Sequence, residues 1–308
     1  MKKQDMIKGL RRSIIVFPAL LLFFADCGTK RETVLVDGSS TVYVITEAVA
    51  EDFIKENRNI SVTVGISGTG GGFKKFCNGE LDIADASRRI KESEVKDCGS
   101  KNIEFVEIPV AYDGMSVVVN PKNSFVDKLS VADLDRIFNE KKKAQTWKDI
   151  NPKWPNQKIK VYSPGHDSGT YDYFAEEILG KNEAVRSDAL FSEDDNVLVT
   201  GISGDENSIG YFGLAYYEEN RERVKLVPVV NPASQKAVVP ETATVRSGEY
   251  APLSRPLYIY VKKTSMERDS VRNFILHYLS TAEQLSGTVG YIPLMKSEYD
   301  KHKMLYTR

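Results

Sequence analysis

The sequence predicts an α/β protein of two domains built on parallel sheets, and three observations carry that reading. Apolar stretches of strand length alternate with apolar residues at helical spacing, the pattern of sheets whose faces are covered by helices. A strand, a turn rich in Ser, Thr and Gly, and a helix follow one another three times. About 280 residues remain after an N-terminal leader, which is long for one hydrophobic core and comfortable for two.

Val34-Leu35-Val36 reads as the first strand and Asp37 to Thr41 as the polar turn after it. Val42, Ile45, Val49 and Phe53 then recur at the spacing of a helix that buries one face. Ser61 to Ile66 alternates like a strand and breaks into Ser67-Gly68-Thr69-Gly70-Gly71-Gly72, with a helix predicted from Phe73. Leu81 to Ala84 is a buried strand running into Ser87-Arg88-Arg89, and Ile103 to Asn120 is a long extended stretch interrupted at Tyr112-Asp113-Gly114. Ser130 caps a helix through Phe138, and residues 139–156, polar and lysine-rich, form a solvated surface loop. Lys158 to Tyr162 is a strand leading into Ser163-Pro164-Gly165-His166-Asp167-Ser168-Gly169-Thr170. The helix from Tyr171 to Leu179 has Gly180 as its stop. The aromatic residues from Tyr211 to Tyr217 are assigned to core and interface packing.

Lys2, Lys3, Lys8, Arg11 and Arg12 precede an almost wholly apolar run from Ser13 to Ala25, the order of a secretory signal. The run is shorter than the ~18 apolar residues of a membrane-spanning helix, and no later segment is apolar enough to span, so the chain beyond Thr29 is expected to be soluble. Phe24-Ala25-Asp26-Cys27-Gly28 resembles a bacterial lipoprotein signal, in which residues 1–26 are removed and Cys27 carries the lipid. Asp26 departs from the small residue usual at that place, and the alternative is ordinary cleavage that leaves Cys27 free. In an exported protein Cys77 and Cys98 are expected to pair; the alternative is two small buried thiols.

Positive and negative side chains nearly balance at a formal net charge of −1, so nothing is basic enough for nucleic acid, and an anion would have to be held by local groups. Catalytic frames are missing. His166, with only His277 and His302 elsewhere and no spaced Cys or Asp partners, is an exposed loop histidine. Ser67 lacks the G-x-S-x-G frame because Thr69 replaces the second glycine. Phe73-Lys74-Lys75 stands where a nucleotide loop needs Gly-Lys-Ser/Thr. No catalytic residue, metal site or cofactor is expected.

The three polar turns are the distinctive feature. Ser39-Ser40-Thr41, Ser67 with Thr69, and Ser168-Gly169-Thr170 each precede a helix, where unpaired backbone N–H groups and the helix dipole favour an anion. Taken singly, each is an ordinary N-cap. Together they offer hydroxyls and close-approaching glycine backbone around a small tetrahedral oxyanion.

At these residues the chain resembles the phosphate-binding protein of the bacterial phosphate ABC importer, in its cyanobacterial-like branch. The matching stretches are Gly38 to Val42, Ser67 to Phe73, Asp85 to Arg88, Ala111 to Gly114, Asp167 to Thr170 and Gly210 to Gly213, in family order along nearly all of the mature chain. The resemblance implies a two-lobed periplasmic-binding-protein fold of type II, its ligand cleft between lobes joined by two crossovers. Lobe 1 would be residues 33–115 plus 256–308, and lobe 2 residues 116–255. It implies a monomer without cofactor that holds inorganic phosphate and meets the permease and ATPase subunits of an importer on the periplasmic or cell-surface side of a membrane. Ser40, Thr41, Thr69, Ser168, Gly169 and Thr170 fall on the family's ligand positions, with Ser39 and Ser67 in the same turns. Two positions depart: the family's acidic residue after the third strand falls on Ser87, and its arginine upstream of Ser-Gly-Thr falls near Pro164. Arg88 is the expected replacement cation, against a surface ion pair; Asp113 is the expected replacement acceptor, against a turn-stabilising role beside Gly114. A receptor for another oxyanion such as sulfate, a sensor without a transport role and a phosphate-ester hydrolase are the competing functions.

Overall fold

A computed structural model describes residues 31–166, 168–180 and 182–306; the leader and Cys27 lie outside them. Period-two patterning places Val34 and Val36 of β1 (Glu32–Gly38) in the core while Leu35 is exposed. Helix α1 (Ser40–Glu56) buries the predicted Val42, Ile45, Val49 and Phe53 and is capped by Ser39, whose Oγ accepts from Val42 N at 3.4 Å. β2 (Ile60–Ile66) lies parallel to β1.

Helix α2 (Gly68–Cys77) begins five residues before the predicted Phe73. Its glycines form the first turn because the helix packs on the strand behind it: a Cβ on Gly72 would lie 2.6 Å from Gly38 Cα. Glycine is a poor helix former, so the close packing is invisible to local pattern. β3 (Ile83–Ala86) and α3 (Glu92–Ser100) follow, then β4 (Phe105–Val119).

β4 runs unbroken through Tyr112-Asp113-Gly114, where the sequence predicts an interruption. Those three residues pair with Pro256, Arg255 and Ser254 of a later strand, and that ladder overrides the turn preference of Asp-Gly.

The middle of the chain holds β5 (Leu129–Ser130), α4 (Val131–Phe138) and α5 (Trp147–Ile150). Ser130 caps α4 as predicted, its Oγ accepting from Asp133 N at 3.1 Å. The predicted loop at 139–156 is not wholly solvated, since Trp147 is fully buried with Phe125 and Trp154 edge-on at 5.4 and 5.9 Å. β6 (Lys160–Pro164) leads to α6 (Gly169–Phe174), which continues as a wider turn, Ala175–Leu179, and stops at Gly180 with φ +95°. Then come β7 (Leu190–Ser192), α7 (Asp195–Gly204), β8 (Ser208–Gly213), α8 (Leu214–Asn220), β9 (Lys225–Leu226), β10 (Val229–Val230), β11 (Ala237–Val238) and α9 (Thr242–Arg246). The chain closes with β12 (Ser254–Lys262), α10 (Asp269–Thr288), β13 (Ile292–Pro293) and α11 (Lys296–Met304).

The main sheet runs β2-β1-β3-β12-β4-β8-β6-β7, with β9 and β13 also on β4. Parallel pairing holds for β1 with β2 and β3, and for β6 with β7 and β8, whereas β4 and β12 are antiparallel to their neighbours. One hydrophobic core gathers Val34, Ile45, Phe53, Ile108, Ile259 and Phe274; another gathers Met115, Phe138, Trp147, Phe174 and Tyr211. β4 contributes to both, its first part on β12 and its last five residues on β8. This is the two-lobed α/β arrangement. Among the described residues no helix is long and apolar enough to cross a membrane.

Cys77 at the end of α2 and Cys98 in α3 form a disulfide beside Phe73, Phe76 and Tyr260. The bridge spans 21 residues, a loop for which chain entropy assigns about 3 kcal/mol. Denaturant unfolding with and without reductant is expected to show that loss, and equal stability of the two forms would remove the role.

Candidate functional site

The ends of β1, β2 and β3 are tied by the backbone. Ser39 N donates to Asp85 O at 3.0 Å and Ser67 N to Gly38 O at 3.1 Å. The starts of α1 and α2 therefore point to one place, a cleft of about 280 Å³. Ser39, Ser40 and Thr41 line it from α1, Thr69 and Gly70 from α2, and Ser87 from the end of β3. Thr69 Oγ1 lies 3.1 Å from Ser87 Oγ and accepts from Ser87 N at 3.2 Å, so two hydroxyls share one edge. Two helix starts with their dipoles converge with hydroxyl donors, which suits a small anion.

Arg255, which the sequence reading did not name, also lines this cleft. It leads β12 opposite Asp113, and its Nε and Nη2 each donate to Asp113 Oδ2 at 3.3 Å. Nη2 also donates to Thr41 Oγ1 at 3.1 Å, and the guanidinium lies 3.4 Å from the centre of the Tyr173 ring. Tyr173 is itself fixed, its Oη donating to Pro252 O at 2.7 Å. The only local signal was a lone cation before the apolar run Pro256 to Val261.

Arg88 lines the cleft too, but its guanidinium is forked onto Glu94, at 2.9 and 2.8 Å, over the face of Phe73. The bonds to Glu94 hold it above its ordinary range. Asp113 lies behind Arg255 and not on the cleft wall; burial pushes its carboxyl up while Arg255 opposes the rise. Ser67 turns away, donating to Asp37 Oδ1 at 2.6 Å, while Lys75 Nζ donates to Oδ2 at 2.6 Å. Burial of Asp37 is outweighed by these two bonds, so its carboxyl lies below the usual range.

The third turn reaches the first. A Cβ on Gly169 would sit 3.0 Å from Thr41 Oγ1, so the two turns meet closely at this glycine. Ser168 Oγ accepts from Thr170 N at 3.2 Å, and Thr170, with Asp113, lines a separate cavity of about 470 Å³. His166 is exposed, stacked on Phe191.

Residues 27–281 match the PBP superfamily domain. The chain is 48% identical over 298 residues to the protein SphX of Synechococcus elongatus, covering 94% of this chain and 88% of that one. It is 40% identical over 280 residues to the phosphate-binding protein PstS of Staphylococcus saprophyticus, covering 91% and 86%. The chain belongs to this PBP family of SphX and PstS proteins. Among solved structures, it is similar to a possible phosphate binding protein from Planctomyces limnophilus, with TM-score 0.85 and 42% identity over 89% of this chain and 96% of that one. A substrate-binding protein from Clostridium perfringens, solved with bound phosphate, aligns at TM-score 0.56 and 26% identity over 85% of this chain.

In this PBP-family chain one acid beneath the cleft carries no obvious partner. Asp85 is fully buried at the end of β3, and neither carboxylate oxygen has a hydrogen-bond partner among the described residues. Thr46 stands near it, but that hydroxyl bonds Tyr278 Oη at 3.1 Å. Burial pushes the Asp85 carboxyl up to about 8, with Thr46 opposing and Asp37 adding. The folded chain thus holds a proton that the unfolded chain releases above its ordinary 3.8, and stability falls as pH rises from there to about 8. Asp85→Asn is expected to gain on the parent across that window and level off above it. A tenfold difference in proton affinity is worth about 1.4 kcal/mol, so the gap reaches a few kcal/mol. Denaturant melts at pH 4, 6 and 8 check it, and a gap that does not widen would refute the protonated state.

Proposed function

We propose that this chain is an extracytoplasmic receptor that binds inorganic phosphate in the cleft and delivers it to the permease and ATPase of an ABC importer. The observation that carries the reading is Arg255, held between Asp113 and Tyr173 with one N–H on Thr41, in a cleft that also presents hydroxyls and two helix starts. A fixed guanidinium fork with hydroxyl and backbone donors suits a tetrahedral oxyanion. Relatives named as phosphate-binding proteins support that ligand, as does a relative described as an ABC-type phosphate transport receptor, 25% identical. The role is that of a receptor and not an enzyme. Ser39, Ser40, Thr41, Thr69 and Ser87 supply donors from one lobe, and the Ser168-Gly169-Thr170 turn meets them at Gly169, against Thr41. Arg88 serves through its pair with Glu94 and adds charge to the wall. The lobes divide as residues 33–115 with 256–308, and 116–255, the protein working as a monomer.

Arg255→Ala is expected to weaken phosphate by about 2–3 kcal/mol, and Arg255→Lys, which keeps charge but loses the fork, by an intermediate amount. Calorimetric titration measures both; phosphate affinity unchanged in Arg255→Ala would defeat the site.

The order of basic stretch, apolar run and Cys27 supports a lipid anchor on the exported face. Each buried CH₂ of an acyl chain adds about 0.8 kcal/mol, so multiple chains hold stably. Full-length protein is expected in the detergent phase on partitioning and Cys27→Ala in the aqueous phase, and a native form that stays aqueous counts against the anchor.

A further inference from the structure

The bridge between Cys77 and Cys98 stands out for what it joins. Cys77 ends α2, the helix whose first turn brings Thr69 and Gly70 to the cleft. Cys98 lies in α3, and α3 has little else to hold it to the body of the protein. Cys98 is the one buried residue among the nine of this helix, and its apolar Val95 is exposed. A helix of that length is unstable by itself in water and depends on a packed face. Here that face comes down to one bridged sulfur in the cluster of Phe73, Phe76 and Tyr260, flanked by the half-buried Ile90 and Ile103.

Of the cations that line the cleft, Arg88 and Lys91 depend on this helix. Glu94, one turn before Cys98, takes both arms of Arg88, Nη1 on Oε2 at 2.9 Å and Nη2 on Oε1 at 2.8 Å. The same Oε2 accepts from Lys91 N at 2.8 Å, at the cap of α3. The Cys77 sulfur lies 3.5 Å from the backbone oxygen of Glu94. One carboxylate thus fixes Arg88 and the backbone of Lys91, and its own backbone rests on the bridge. Arg88 is thereby set at the first turn of α2, where a Cβ on Gly70 would lie 3.9 Å from its Nη2. The chain just before α3 is fastened by other bonds: Ile90 N donates to Tyr260 Oη at 3.0 Å and Ser87 N to Thr69 Oγ1 at 3.2 Å. Loosening α3 therefore leaves the hydroxyl edge in place.

We propose that the Cys77–Cys98 bridge is a redox-sensitive positioning element of the anion site, which holds Arg88 and Lys91 at the cleft by fastening α3 to α2. This rests on the phosphate reading above. A cation fixed in advance need not be ordered when the anion arrives, whereas a mobile one must be. A dithiol opens the bridge by exchange. Two electrons and two protons pass to Cys77 and Cys98, which end as thiols, and the reductant closes to its own disulfide. The oxidised protein is the tight-binding form. The reduced one keeps the hydroxyls, Arg255 and the helix starts and binds the same anion more weakly.

The test is phosphate titration of the oxidised parent, the dithiol-reduced parent and a chain with both Cys77→Ala and Cys98→Ala. Each form is measured again with Arg88→Ala and Lys91→Ala introduced together. Thiol labelling establishes the state of the bridge, and a thermal melt establishes that each form is folded. Loss of the bridge should weaken phosphate about three- to tenfold in the parent. In the chain without the two cations it should cost less than about twofold, because the effect runs through them. An equal loss in both backgrounds would mean that the bridge stiffens the protein as a whole, and it overturns the assignment. So does phosphate binding that is unchanged or tighter once the bridge is gone. A bridge-free chain that is unfolded at the assay temperature overturns it too, since the loosening is then not confined to α3. An oxidised parent that binds no phosphate fails the phosphate reading and takes this assignment with it, whereas tight binding indifferent to the bridge sinks this assignment alone.

Discussion

The Arg255–Asp113 pair across β12 and β4 is the contact on which the arrangement of the cleft depends. A buried carboxylate alone is costly, and breaking such a pair leaves an uncompensated charge, so the two residues hold each other in place. The register that sets them opposite belongs to the longest ladder of the sheet, residues 105–114 of β4 against β12. Around that fixed guanidinium come Thr41 from the start of α1 and Tyr173 from α6. Four residues far apart in the chain are thus joined by hydrogen bonds and a ring contact centred on one guanidinium.

The electrostatics follow from the same economy. With a net charge of −1, the protein has no general field to draw an anion, and positive charge at the cleft comes from Arg255, Arg88, Lys91 and the helix starts. Acids close by are arranged so that they do not cancel it. Asp113 is paired with Arg255, Asp37 with Lys75, and burial pushes the Asp85 carboxyl up to about 8. Asp172, Glu176 and Glu177, from α6 and the turn that continues it, remain on the cleft wall.

Much of the local structure was legible. The buried stripe of α1, the Ser130 cap and the Gly180 stop each depend on dihedral and capping preferences that a few neighbouring residues express. The Cys77–Cys98 bridge followed from the inferred compartment. The misreadings share a cause. Gly68 to Gly72 form helix because α2 packs on Gly38, Asp113-Gly114 stay in a strand because β12 pairs there, and Trp147 is buried amid lysines because Phe125 and Trp154 surround it. In each case a contact from elsewhere in the chain outweighed a local preference.

The same division separates the two halves of the functional reading. The sequence by itself determined the α/β class, the turns rich in Ser, Thr and Gly that open three helices, and the small anion they suit. These are short-range properties of backbone geometry and hydroxyl chemistry. Only the tertiary structure decided which charged groups line the cleft and which partners hold them. Arg88, chosen for its nearness to Ser87, is bound six residues away by Glu94, whereas Arg255 meets Asp113 across 142 residues. Charge is long-ranged in space but not in sequence, and the partner of a buried ion is fixed by strand register, which no local pattern around either residue encodes.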